Sequence, residues 1–422
     1  MNSFINHVSV GNDEGVPNLT VPRIVIMGWY GNGNMGDEMI LQCMLQDLRR
    51  LVPRVSFTVV SDDSADTSSR HGVRSVRRGG GRFQRMRRAL AITEADLFIL
   101  GGGSLLKRHG ISDSSVLVWL GPFHFAHRIG VRTMTYAVGV SGEWSPSGKR
   151  LVSKILDEAD AVCVRDQVSN ENLKGLGFDR GIVTADPAIL LAHASPEEAR
   201  AQTPGGRPRV SVFLRHWYVY ENRTPDESTW KRFQQSLADS LDTLISKHSA
   251  QVRFVPMRTT AGDDDRVVAR EVVQMMKNGA DTDCVDEPGG TTDVVRLIDE
   301  SDLVIGMRLH SLIVAASLGK AAIAINYEEK VRSFEDTIGA RDWVVEMNQG
   351  EDEIINLAER GLAGSYPVKL VENSVASVQV RARSNTEVAA GLLRKEGAPG
   401  RLLRRAIRGG GILLEMVLRK ST

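Results

Sequence analysis

The chain has 422 residues, of which 42% are apolar and 25% charged, with a formal net charge of +1. That length is too great for one comfortable core and predicts two domains with a cleft between them, while the composition excludes a disordered or fibrous protein. The near-zero net charge argues against general nucleic-acid binding, and three widely spaced cysteines (Cys43, Cys163, Cys284) form no Cys-x-x-Cys pair for zinc or a disulfide framework.

Residues 1–21 show no periodicity and read as a flexible arm. The run Arg23-Ile-Val-Ile-Met27 is apolar throughout, as a buried parallel strand requires, and is followed by glycines and then by helical spacing of Met39, Ile40, Met44 and Leu48. Further strands are predicted over Val55–Val60, Asp96–Leu100, Thr133–Val138, Ala161–Val164 and 181–184, an alternation that gives a doubly wound parallel sheet. A turn-rich stretch over 193–209 marks a boundary. The rhythm then restarts with Val210–Leu214, a helix over 228–248, Val252–Val255, a helix near 264–277, Leu303–Ile305 and Ala321–Ile325. The expected division is an α/β chain with Rossmann-like domains over 22–195 and 209–345, a helical segment over 346–390 and a basic amphipathic tail over 391–422.

Open α/β sheets place ligands at the carboxyl ends of their strands, so the loops there hold the candidate residues. The first, Gly31-Asn-Gly33-Asn-Met-Gly36-Asp37-Glu38, contains the letters of a dinucleotide fingerprint. Asp37 and Glu38, however, occupy the positive helix end that a pyrophosphate needs, and a neutral polyol fits better. Asn34, Asp37 and Glu38 either meet sugar hydroxyls or stabilise the helix start. Gly102 and Gly103, within Gly101-Gly-Gly103, either admit a ligand to the backbone or form a tight turn.

Arg165, Arg215, Arg308 and Lys330 each follow a strand and bring cations towards one cleft, as a small multiply charged anion requires. His310, two residues after Arg308, is either a proton carrier among those cations or a satisfied core histidine. His124 and His127 are spaced like metal ligands, but nothing nearby completes a set, and no metal is expected.

Taken together, Gly36-Asp37-Glu38, Gly101-Gly102-Gly103, Arg165-Asp166, Asp186-Pro187, Met307-Arg308-Leu309-His310 and Lys330 resemble the motif series of the polysaccharide pyruvyl transferase family over roughly residues 22–335. The resemblance implies a fold similar to the two-domain GT-B glycosyltransferases, and a transfer from phosphoenolpyruvate to a saccharide as a pyruvate ketal. Phosphoenolpyruvate is then a co-substrate, with no further cofactor. The resemblance assigns His310, Arg165 and Lys330 to catalysis and Arg165 and Lys330 to the donor; Arg215 and Arg308, donor candidates by their place after strands, either add to that clamp or are structural. Asn34, Asp37, Glu38, Gly102 and Gly103 remain for the acceptor, a sugar of a bacterial polysaccharide or its lipid-linked precursor. The chain departs from the family where relatives often carry Pro and His, having Met257-Arg258 instead. A nucleotide-sugar glycosyltransferase and a non-catalytic glycan-binding relative are the competing readings.

Two basic stretches stand apart. Eight arginines and no acid lie between Arg70 and Arg88, read as a loop and helix, and residues 391–422 interleave basic groups with leucines and isoleucines. The expectation is a cytoplasmic enzyme, held by these segments at the anionic inner face of the cell membrane.

Overall fold

The computed structural model describes residues 21–107, 116–194, 206–217, 226–348 and 350–394, the side chains of 192–194 excepted. Most of the arm (1–20), most of the turn-rich boundary (195–205) and most of the basic tail (395–422) lie outside the described residues.

The first domain contains strands β1 (Arg23–Met27), β2 (Ser56–Ser61), β3 (Arg74–Arg77), β4 (Leu97–Gly101), β5 (Leu106–Lys107), β6 (Arg132–Val138), β7 (Val140–Ser141), β8 (Ala161–Val164) and β9 (Ile182–Val183). Between them run helices α1 (Met35–Leu51), α2 (Ser64–His71), α3 (Arg82–Glu94), α4 (Leu117–Arg128), α5 (Pro146–Asp157) and α6 (Gln167–Gly175). The second domain contains β10 (Arg209–Phe213), β11 (Gln251–Phe254), β12 (Thr259–Thr260), β13 (Asp263–Asp264), β14 (Thr282–Cys284), β15 (Leu303–Gly306), β16 (Ala321–Asn326) and β17 (Val344–Glu346). Its helices are α7 (Glu227–His248), α8 (Asp265–Met275), α9 (Thr291–Asp299), α10 (Leu309–Ser317), α11 (Glu329–Ile338) and α12 (Glu351–Leu362), and the chain continues into α13 (Val368–Arg394).

The first sheet has the order β3-β2-β1-β4-β6-β8-β9 and the second β14-β11-β10-β15-β16-β17. All pairings in both are parallel. The α/β architecture of two facing Rossmann-like domains expected from the strand pattern is therefore what the chain adopts. Central strands are apolar on both faces because helices cover both: Ile24 to Met27 and Leu97 to Leu100 are all buried.

In each sheet the strand order reverses at one point, between β1 and β4 in the first and between β10 and β15 in the second. The loops at these reversals open a crevice at the carboxyl ends, and the two crevices face each other. The domains touch across this line. Met35 N donates to Met257 O at 2.9 Å, Thr291 Oγ1 to Gln42 Oε1 at 2.5 Å, and Arg258 Nη2 to Asn32 Oδ1 at 2.6 Å.

Two features differ from the sequence expectation. The arginine-rich stretch holds an edge strand as well as a helix: in β3 Val76 turns inward while Arg74 and Arg77 face solvent. Helix α13, which falls largely in the range 346–390 expected to be helical, returns to the first domain and packs on α1 and β6. There Asn385 Oδ1 accepts from Ala137 N at 3.0 Å and from Thr184 Oγ1 at 2.9 Å. Ala137 has φ +50 at an irregularity between β6 and β8, so its amide points out of the ladder and the C-terminal helix satisfies it.

Candidate functional site

A cavity of about 160 Å³ lies where the two crevices meet. It is lined from the first domain by Trp29, Asn34 and Asp37 after β1, by Gly103, Ser104, Leu105 and Lys107 after β4, and by Arg165 after β8. The second domain contributes Arg215 and Trp217 after β10, Arg258 after β11, Arg308 and His310 after β15, and Tyr327 and Glu328 after β16. Of the candidates read from the sequence, Asn34, Asp37, Gly103, Arg165, Arg215, Arg308 and His310 line it.

Glu38, Gly102 and Lys330 do not. Glu38 is buried and turns away, accepting from Gly31 N at 2.8 Å and facing His71 Nε2 at 2.7 Å, so it shapes the loop after β1. Gly102 is a packing glycine: a Cβ there would sit 2.1 Å from Ile40 Cγ2. Lys330 Nζ lies 2.6 Å from Glu328 Oε2, one residue back from the wall.

The helix ends on the two sides of the cavity differ in charge. Helix α1 is capped by Asn34, whose Oδ1 accepts from Gly36 N, and carries Asp37 and Glu38 in its first turn. Helix α10 has no acid in its first turn and no side-chain cap, so its positive end opens on the cleft with His310 beside it. The His310 ring lies against Gly36, where a Cβ would come within 2.1 Å of Nδ1. Glycine at 36 is thus what lets the second domain close on the first.

His310 Nε2 faces Asp186 Oδ2 at 3.5 Å, and neither atom has another hydrogen-bond partner among the described residues. Burial works against ionised Asp186, but the His310 ring and the Arg165 guanidinium hold its carboxyl below the usual range. Arg165 bonds Asp166 Oδ2 through Nε at 2.9 Å and places Nη1 3.9 Å from Asp186. Asp37 has the opposite character: burial pushes it up to about 6, against the lowering by His310, the Asn34 amide and Arg258. Asn34 Nδ2 donates to it at 2.5 Å. Both carboxyls are desolvated and both feel the His310 ring, but Asp186 also has a hydrogen bond to that ring and the Arg165 guanidinium, which outweigh burial, whereas at Asp37 burial prevails.

The cations meet as the sequence suggested, but carboxylates accompany them. Arg308 forks onto Asp265 and reaches Asp263 Oδ1 at 3.4 Å, and Arg258 Nη1 lies 3.0 Å from Asp263 Oδ2. Lys107 and Lys330 share Glu328, with Lys107 Nζ at 3.1 Å. Arg215 donates to the Tyr327 hydroxyl at 2.9 Å and lies over its ring. Unpaired, these buried cations would repel one another; paired, they form a polar wall that retains donors towards the cavity.

Sequence reading did not assign Asp186 or Arg258 to the site. Asp186 stood within a quoted Asp-Pro motif, and only the fold sets it against a histidine more than a hundred residues away. Arg258 occupied the place where the sequence departs from its relatives. Among the described residues no cluster of His, Cys, Asp and Glu is arranged to hold a metal. His124 instead faces Glu158, Nδ1 to Oε2 2.8 Å. No helix among the described residues is long and apolar enough to cross a membrane.

The sequence matches the family model described as polysaccharide pyruvyl transferase over residues 34–329. The fold is similar to a glycosyltransferase from Rickettsia africae, at 13% identity and TM-score 0.55, covering 94% of this chain and 99% of that one. It is similar also to UDP-GlcNAc 2-epimerases from Methanocaldococcus jannaschii (12% identity, TM-score 0.56, 85% of this chain and 100% of that one) and Neisseria meningitidis (11%, 0.54, 87% and 99%). At these identities the likeness is one of fold.

Proposed function

We propose that this chain, which belongs to the polysaccharide pyruvyl transferase family, uses the cavity between its domains to transfer the enolpyruvyl carbon skeleton of phosphoenolpyruvate to a saccharide as a ketal. The observation that carries the reading is the set of His310, Asp186 and Arg165 at the meeting point of the two sheet crevices, beside the acid-free end of α10.

In this reading the donor lies on the α10 side. Arg165, Arg215 and the helix end hold its carboxylate and phosphate, with Lys330 reinforcing the wall through Glu328 and Tyr327. His310, oriented by Asp186, delivers a proton to the methylene carbon, so that C2 becomes electrophilic. One saccharide hydroxyl attacks C2 and loses its proton to Asp37, the carboxyl of higher proton affinity. The C2–O bond to phosphate then breaks, and a second hydroxyl of the same sugar closes the ketal, its proton leaving with phosphate. The products are the ketal, with the donor methylene now a methyl group, and inorganic phosphate. Asn34 and the Gly103 backbone border the acceptor side.

Phosphate release from phosphoenolpyruvate in the presence of extracted lipid-linked saccharides tests this. His310→Ala is expected to lower turnover by about 10²- to 10⁴-fold, the usual worth of a positioned proton carrier, while phosphoenolpyruvate still raises the melting temperature. A wild-type protein stabilised by UDP-sugars and not by phosphoenolpyruvate would sink the reading in favour of a nucleotide-sugar enzyme.

A further inference from the structure

Helix α3 has a surface that the proposed chemistry does not use. Arg82, Phe83, Arg85, Met86 and Arg87 in its first two turns are exposed, Phe83 62% and Met86 38% accessible. Phe83, Met86 and Leu90 follow one helical stripe, and Arg82 and Arg87 flank it on either side. A neighbouring helix adds to the same character: Leu117 and Val118, at the start of α4, are 40% and 49% exposed, and α4 packs on α3.

The charge here is uncompensated. No acid occurs between His71 and Thr93. Arg70, Arg74 and Arg78 are paired with Asp66, Glu94 and Asp62, but Arg77, Arg82, Arg85 and Arg87 form no ion pair among the described residues. Isolated exposed apolar side chains are ordinary; an apolar stripe rimmed by unpaired arginines on a helix left uncovered by the fold is not. A neutral protein partner would leave the arginines unmatched, and a nucleic acid would leave Phe83, Met86, Leu117 and Val118 without a function. An anionic lipid surface satisfies both, taking the apolar side chains below its headgroups and the guanidinium groups among its phosphates.

The stripe is also wired to the cavity. Arg88 donates to the Arg78 carbonyl, and the Arg78 guanidinium lies over the Trp29 and Trp119 rings, 5.1 and 4.6 Å from their centroids. Trp29 lines the cavity wall on the side assigned to the acceptor. We propose that the exposed face of α3, with the start of α4, docks the enzyme on an anionic bilayer next to the acceptor side of the cleft. The docking depends on this surface and not on the identity of the donor, so the two readings fail separately.

Flotation of the full chain with vesicles tests the proposal. Binding is expected to phosphatidylcholine vesicles containing phosphatidylglycerol, to weaken as salt is raised, and to be absent for pure phosphatidylcholine. With roughly fivefold per basic residue near such a surface, Arg82→Glu, Arg85→Glu and Arg87→Glu combined should weaken binding by more than about 100-fold. Phe83→Ser with Met86→Ser should leave only the salt-sensitive component. All five positions are exposed, so melting temperature and turnover on a water-soluble saccharide should remain those of the wild type. Undiminished flotation of the arginine variant, as attachment through the basic C-terminal tail would give, or no flotation of the wild type with anionic vesicles, overturns the proposal.

Discussion

Glu335 offers a test of the electrostatics that is independent of any substrate. It lies on α11, 1% exposed, and neither carboxylate oxygen has a hydrogen-bond partner among the described residues. Burial, with a smaller push from Asp336, raises its pKa from 4.5 to about 8. The sign follows directly: a group whose pKa is higher in the folded state favours folding when protonated, so its stabilising contribution is complete below pH 4.5 and is lost as the pH rises through about 8. At 1.36 kcal/mol per unit, a shift of that size makes the loss at most about 5 kcal/mol, a large part of the stability of an ordinary domain. Glu335→Gln keeps the shape and removes the ionisation. Denaturant unfolding of the two proteins from pH 5 to pH 9 should give similar midpoints at the acid end. The variant should pull ahead steadily from about pH 5, and its lead should level off at several kcal/mol above about pH 8. A difference between them that does not change with pH would refute the reasoning, because it would mean that water or a neighbouring group reaches the carboxylate and lets it ionise in place.

Gly36→Ala is favoured by helix propensity by about 1 kcal/mol, yet its Cβ would stand 2.1 Å from the His310 ring. The expected outcome is a protein that still folds while turnover drops by about 10²-fold or more, read as phosphate release alongside thermal melting. Asp37, with a pKa of about 6, accepts a proton only above that value, so kcat/KM should rise with pH through about 6. In Asp37→Asn that limb should vanish from the profile along with most of the activity, and an unchanged limb would remove Asp37 from the role of base.

How much of this was legible in the sequence depends on how locally each feature is encoded. Strands β1, β4, β8, β10, β15 and β16 are buried on both faces and read as plain apolar runs, so the two sheets and their strand-end loops followed from the sequence. Strand β3, with the letters Arg-Ser-Val-Arg, lies at a sheet edge and buries only Val76, which leaves no apolar run to read. Strand β14 is an edge strand of the same kind, with Asp283 and Cys284 exposed. Helix α13 was readable as helix, but not its destination, because helical periodicity says which face is buried and not against what. The site divides similarly. His310, Arg165 and Asp37 stand at strand ends and helix starts, which sequence can locate. The pairing of Asp186 with His310 and of Arg308 with Asp265 arises when the domains close and the loops fold, and no spacing in the chain announces it. Glu38 was misdirected by its neighbour: one step along a helix start turns a side chain by about 100°, enough to move it from the cleft to the loop behind it.

The bond from Asn385 to the Ala137 amide has a consequence for how the protein is made. The strand it completes leads into the Gly139 turn, where a Cβ would lie 3.1 Å from Arg165 Nη2. Nearly 250 residues separate the two partners, and the first domain to leave the ribosome must wait for the last described helix before that bond can form. Until then the Ala137 amide lacks the partner that α13 brings to it. The strand end beside Arg165 thus depends on α13, and a chain cut short before that helix lacks the bond that completes it.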